Sequence, residues 1–168
     1  LKFDSAKKSV LLIPTLLNKE KTLDLIQQIL DQNKYNLAVI CGRDKELYKK
    51  LKYHERDKNF HLVGWTEDMP KYMLASDVII TKAGGSTVQE CIAAKKPMVL
   101  NQIVPGQEQG NALYVEKNHL GVVALSNDEI IESINDVIRN YEKYVSSLNK
   151  VANPKATKQI SDFLLSLT

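Results

Sequence analysis

Between Asp77 and Ala112 the chain sets a short apolar run, a glycine pair and an amphipathic segment in direct succession: Val78-Ile79-Ile80-Thr81, Lys82-Ala83-Gly84-Gly85, then Ser86-Thr87-Val88-Gln89-Glu90. A run this short, rich in β-branched residues and ended by glycines, reads as a strand buried on both faces. Such strands occur almost only in parallel sheets covered by helices. The pattern predicts a strand, a tight turn and a helix opening at Ser86. Glycine admits backbone conformations and close approaches closed to other residues, and the first turn of a helix carries N–H groups without internal acceptors. With the positive end of the helix dipole, this turn suits an anion. The same residues have a plainer reading: Ser86-x-x-Gln89 and Thr87-x-x-Glu90 both have capping-box spacing, and glycine pairs before helices are common.

A second polar turn raises the odds. The next apolar run, residues 98–104, ends in Pro105-Gly106-Gln107-Glu108, with Gln109-Gly110-Asn111-Ala112 opening another helix. Ligands of open parallel sheets collect at the carboxyl ends of the strands, so two polar turns after consecutive strands converge on one crevice.

Strands are expected at residues 10–13, 36–41, 60–63, 78–81, 98–104 and 121–124, alternating with helical segments. Helix signals begin at Lys19, with Leu23, Ile26, Ile29 and Leu30 on one face, and at Lys45. Thr66 can cap a third helix, in which Tyr72, Met73 and Leu74 supply the buried side. Ser126-Asn127-Asp128-Glu129 forms a capping box for one long helix whose stripe is Ile130, Ile134, Val137, Ile138, Tyr141 and Val145. Asn153-Pro154 breaks it, and a last amphipathic helix follows over residues 156–167. The expected fold class is α/β: a Rossmann-like doubly wound parallel sheet of about six strands. The 168 residues fit one domain, with residues 1–8 as a linker remnant and 126–168 as C-terminal helices.

Hydrophobic residues at 43% and charged residues at 26% are ordinary for a globular chain. The net charge of +3 is scattered, so nucleic acid is not an expected partner, while a mildly basic surface is compatible with anionic lipid. Cys41 and Cys91 form neither a disulfide framework nor a metal pattern, and His54, His61 and His119 have no partner at metal or triad spacing. No metal site and no cofactor are expected. With no apolar run long enough to span a bilayer and no signal peptide, a cytoplasmic setting is expected.

Lys82 through Glu90, Pro105 through Ala112, and the preceding Val63-Gly64-Trp65-Thr66-Glu67-Asp68-Met69-Pro70 resemble the C-terminal domain of processive diacylglycerol glucosyltransferases and monogalactosyldiacylglycerol synthases. More distantly the chain is similar to the transferase that makes peptidoglycan lipid II. The resemblance covers residues 36–125. It implies one half of a two-Rossmann-domain (GT-B) enzyme that is inverting, metal-independent and fed by a UDP-hexose. The N-terminal acceptor domain would be absent here, and with it the catalytic base, so no catalytic residue is expected in this chain and the fragment alone should be inactive. The parent would meet a lipid acceptor through that missing domain, with peripheral association at the inner membrane face.

The resemblance also distributes roles. Gly84, Gly85, Ser86 and Thr87 would hold the diphosphate and Glu90 the ribose. Backbone groups at Val63, Gly64 and Trp65 would read uracil, the Trp65 indole being either a stacking face or a core aromatic. Gln107 and Glu108 would meet the hexose, Glu108 standing where the peptidoglycan enzyme has a second glutamine, which points to glucose or galactose. Lys82 can neutralise a phosphate or simply be solvated. In one respect the chain departs from the family: the loop after the first strand, Pro14-Thr15-Leu16-Leu17-Asn18-Lys19, has none of its glycines. Rival readings are a UDP-sugar 2-epimerase half-domain, a non-catalytic Rossmann interaction module, and a separately encoded subunit of a split transferase.

Overall fold

The computed structural model describes residues 3–15 and 19–167. Leu16, Leu17 and Asn18 of the glycine-free loop lie outside the described residues, as do Leu1, Lys2 and Thr168. The strands are β1 (Lys8–Leu12), β2 (Tyr35–Ile40), β3 (Phe60–Val63), β4 (Val78–Lys82), β5 (Met98–Gln102) and β6 (Gly121–Val123). All pair in parallel in the order β3-β2-β1-β4-β5-β6. The order reverses between β1 and β4. At such a switch point the flanking connections leave to opposite faces of the sheet, and a crevice opens above the strand ends.

Alternation along the strands divides the core. Val10, Leu12, Val39, Val78 and Ile80 point to the face covered by α1 (Lys19–Asp31), α2 (Lys45–Leu51) and α6 (Asn127–Arg139). Leu11, Ile40, Ile79 and Leu100 point to the face covered by α3 (Met69–Leu74), α4 (Gly85–Ala93) and α5 (Gln109–Lys117), with Leu148 of α7 (Tyr141–Val151) joining them. A short 3₁₀ turn at Lys52–Arg56 carries α2 into β3. The segment expected as a linker is tied down: the buried Asn36 side chain donates to the carbonyls of Asp4 at 2.8 Å and Lys7 at 3.1 Å.

Two expectations need correction, the single helix from Ser126 and the burial of Leu74. The single long helix from Ser126 is two helices, because Asn140 donates its amide side chain to the Asp136 carbonyl at 3.2 Å and carboxylate at 2.8 Å. The Asn140 N–H still donates to the same carbonyl at 2.9 Å, but the residue leaves helical geometry at φ −103°, ψ 23°, and α6 ends there. The start at Ser126 is as read: its hydroxyl accepts from the Glu129 N–H while Glu129 accepts from the Ser126 N–H at 2.9 Å. The last helix, α8 (Ala156–Leu165), buries no residue and leaves Phe163 and Leu165 exposed. Leu74, expected in the core, is 61% exposed. Its helix spans only Met69–Leu74, and Met73 supplies the buried contact. Among the described residues no helix is long and apolar enough to cross a membrane.

Candidate functional site

The site grows from the end of β4. A register shift at Thr81/Lys82 bends the strand where it leaves the sheet, and the Ala83 N–H donates to the Gln102 carbonyl at 2.8 Å, holding the turn beside β5. Gly84 is extended (φ −69°, ψ 132°) and its carbonyl accepts from Val88 at 2.9 Å, so the helix opens at Gly85, one residue earlier than expected. Ser86 therefore sits inside the first turn and caps nothing. Its capping-box reading fails because Gly84 already occupies the capping position. Among the described residues, no acceptor meets the N–H groups of Gly85, Ser86 and Thr87. These three donors, at the positive end of a nine-residue helix, open at the switch point.

The second polar turn packs against the first. After β5 the chain turns through Gly106, whose φ of +77° suits glycine, and re-enters helix α5 behind Glu108. Glu108 is 5% exposed. One carboxylate oxygen is paired with the Lys82 ammonium and the other accepts from the Val104 N–H at 2.9 Å. Burial pushes this carboxyl's pKa up, but the Lys82 hydrogen bond, the Val104 N–H and the Lys82 charge outweigh it and hold the group below its usual range. A Cβ built on Gly84 would stand 3.1 Å from the Lys82 ammonium and 3.6 Å from Glu108, so glycine lets the ion pair close over the turn. Asn111 donates to the Ala83 carbonyl at 2.9 Å and braces the same turn from α5.

The expected site residues thus fall into three places. Gly84, Gly85, Ser86 and Thr87 share the turn with Glu108, whereas Gln107 is exposed on the outer loop. Glu90 is exposed one helical turn further along α4, on a groove of about 300 Å³ lined by Met69, Pro70, Met73, Leu74 and Ala93. Gly64 and Trp65 line a separate concavity with Tyr48 of α2, and Trp65 is 58% exposed, which removes its core-aromatic reading. Tyr48 was not singled out in the sequence: it lies 17 residues from Trp65 and only the β2–β3 pairing brings them together. The Lys82–Glu108 pair, 26 residues apart, was equally invisible. Among the described residues no three His, Cys, Asp or Glu side chains cluster as metal ligands.

The model of the glycosyltransferase family 28 C-terminal domain matches residues 7–164. The processive diacylglycerol beta-glucosyltransferase of Staphylococcus epidermidis is 32% identical over 170 residues, covering 98% of this chain and 44% of that protein. Monogalactosyldiacylglycerol synthase 3, chloroplastic, of Arabidopsis thaliana is 37% identical over 128 residues, covering 74% of this chain and 28% of that protein. The chain thus spans less than half the length of these relatives. Among solved structures, the UDP-GlcNAc 2-epimerase of Neisseria meningitidis bound to UDP-GlcNAc superposes with a TM-score of 0.67 at 20% identity, covering 95% of this chain and 44% of that one. At that identity the likeness concerns the fold alone.

Proposed function

Because the chain belongs to the glycosyltransferase family 28 C-terminal domains, we propose that it is the UDP-hexose-binding half of an inverting, metal-independent transferase acting on a diacylglycerol-type lipid. The observation that carries this reading is the uncapped N-terminus of α4 behind Gly84 and Gly85 at the switch point. There the diphosphate accepts from the N–H groups of Gly85, Ser86 and Thr87. Glu90 accepts both ribose hydroxyls, the backbone at Val63, Gly64 and Trp65 reads uracil, and Gln107 meets the hexose with Glu108 behind it. In the reaction an acceptor hydroxyl, losing its proton to a base outside this chain, attacks the anomeric carbon. The bond from that carbon to the diphosphate oxygen breaks, and the charge gathering on UDP is stabilised by the fixed dipoles of α4.

Two features favour a transferase over an epimerase. The glucosyltransferase and the synthase described above, both over 30% identical, act by name on diacylglycerol lipids, and the epimerase likeness is one of fold. The test is calorimetric titration of the chain with UDP, UDP-glucose, UDP-galactose and ADP in EDTA. UDP binding that survives EDTA, with ADP weaker, is the expected outcome. Binding of no nucleotide would leave a non-catalytic interaction module. Sugar isomerisation by the full-length parent without acceptor would favour the epimerase.

A further inference from the structure

Lys82 is the last residue of β4, at the register shift where the strand leaves the sheet, and its ammonium stands over the turn that opens α4. A Cβ on Gly84 would lie 3.1 Å from that nitrogen. The two members of the ion pair are unequally placed: the Lys82 side chain is 44% exposed and that of Glu108 only 6%. Both Glu108 oxygens are engaged, whereas an ammonium has three N–H donors. Among the described residues Glu108 is the partner recorded for it, which leaves the other donors to a ligand. A lysine chain loses rotamer freedom when it meets a ligand, and here the pairing has already taken that loss. The pair is neutral at a distance, so its attraction falls on a group that touches the ammonium directly.

We infer that Lys82 holds the second phosphate of the donor, the one joined to the hexose, and that Glu108 is a positioning residue acting through it. The order of groups carries the assignment. Glu90 lies one helical turn along α4, the free N–H groups of Gly85, Ser86 and Thr87 come at its opening, and Lys82 stands over Gly84, tied to Glu108, whose chain neighbour is Gln107. A nucleoside diphosphate hexose presents ribose, first phosphate, second phosphate and hexose in that sequence, so with ribose at Glu90 and hexose at Gln107 the ammonium falls to the second phosphate. When the bond from the anomeric carbon breaks, its electron pair stays on that phosphate's oxygen, and Lys82 donates to the growing charge without giving up its proton. The inference rests on the donor-site reading. It adds which phosphate the ion pair serves and by which atom.

Lys82→Met alone would strand the buried Glu108 carboxylate, so the test variant is Lys82→Met/Glu108→Gln, which leaves no buried charge unpaired. The unaltered chain, this variant and Glu108→Gln are titrated calorimetrically with UDP and with UMP, which lacks the second phosphate. The double variant should lose UDP affinity by about tenfold or more and UMP affinity by less than about threefold. Glu108→Gln keeps the ammonium and loosens its anchor, so it should weaken UDP less than the double variant does and leave UMP unchanged. A second measurement needs no variant: acylation of the Lys82 amine, read by peptide mass, should be slowed by saturating UDP and not by saturating UMP. The inference fails if the double variant binds UDP as the unaltered chain does, if UDP and UMP weaken by the same factor, if Glu108→Gln alone costs as much as the pair, or if UMP protects Lys82 as well as UDP. In each of these cases UDP still binds the unaltered chain, and the donor site stands. An unaltered chain that binds neither nucleotide would instead remove the donor-site reading, and this inference with it.

Discussion

At the scale of single residues, the carboxylates of the site divide by what already holds them. Both oxygens of Glu108 are engaged, one by Lys82 and one by the Val104 N–H. It therefore braces the turn that carries Gln107. Glu108→Gln keeps the shape and removes the charge, and should destabilise the chain by about 1.5–3 kcal/mol, as for hydrogen bonds to a charged group. The pH dependence carries the sign. Because the folded carboxyl titrates below its ordinary value, its contribution is complete above the unfolded pKa of about 4.3. It drains away as pH falls through the lower folded value. Urea unfolding of parent and Glu108→Gln at pH 7 and in the acid range should converge as pH drops; a constant gap would separate the stability effect from the charge. Glu90 is the opposite case, exposed and with no protein partner recorded among the described residues. Glu90→Ala should leave stability within about 0.5 kcal/mol and weaken UDP binding by about 1.5–3 kcal/mol. An unchanged calorimetric affinity would remove it from the ribose role.

At the scale of elements, local signals were legible and compensations between distant segments were not. The Ser126–Glu129 capping box is a four-residue pattern and stands in the structure with both reciprocal bonds. Ser126→Ala should cost about 1 kcal/mol by removing the acceptor for the Glu129 N–H, read as a fall in urea midpoint with unchanged slope. The break at Asn140 escaped the pattern because the apolar stripe runs on through Tyr141 and Val145 while a single polar side chain folds back. The start of α4 slipped by one residue for a related reason: Ser86 is a good cap by type, but Gly84, without a side chain, leaves space for the Lys82–Glu108 pair and takes the capping position instead. Gly121 gave no sequence signal, yet it opens β6 against Met98, where an added Cβ would lie 2.1 Å from the Met98 carbonyl oxygen. Gly121→Ala forces the two strands apart and should cost about 1–3 kcal/mol in denaturant unfolding. The glycine turn leading from a buried parallel strand into a helix could be read from residues 78–90 alone. The apposition of Tyr48 with Trp65 depends on strand pairing that no local pattern encodes.

At the scale of the whole molecule, the two cysteines couple site and fold. Cys41 lies in the core on one face of the sheet and Cys91 in the core on the other, within α4 itself. Burial pushes both thiols up to about 12, so at pH 8 neither presents thiolate to a reagent while the chain is folded. Labelling by an aromatic disulfide must wait for opening. If the chain opens as one unit, both thiols react together at a rate set by the global equilibrium, and a ligand of the folded state slows both by the same factor. UDP at a hundred times its dissociation constant should then slow both about a hundredfold, since binding at that level adds about 2.7 kcal/mol to the folded state. Separate rates would say something more specific. Faster labelling of Cys91 would mean that α4 opens on its own, and UDP should then protect Cys91 before Cys41, because the proposed site for its diphosphate is the first turn of that helix. UDP that is bound by calorimetry and yet protects neither thiol would place the nucleotide on a surface whose occupation does not depend on α4, and the turn at Gly84 and Gly85 would lose its assignment.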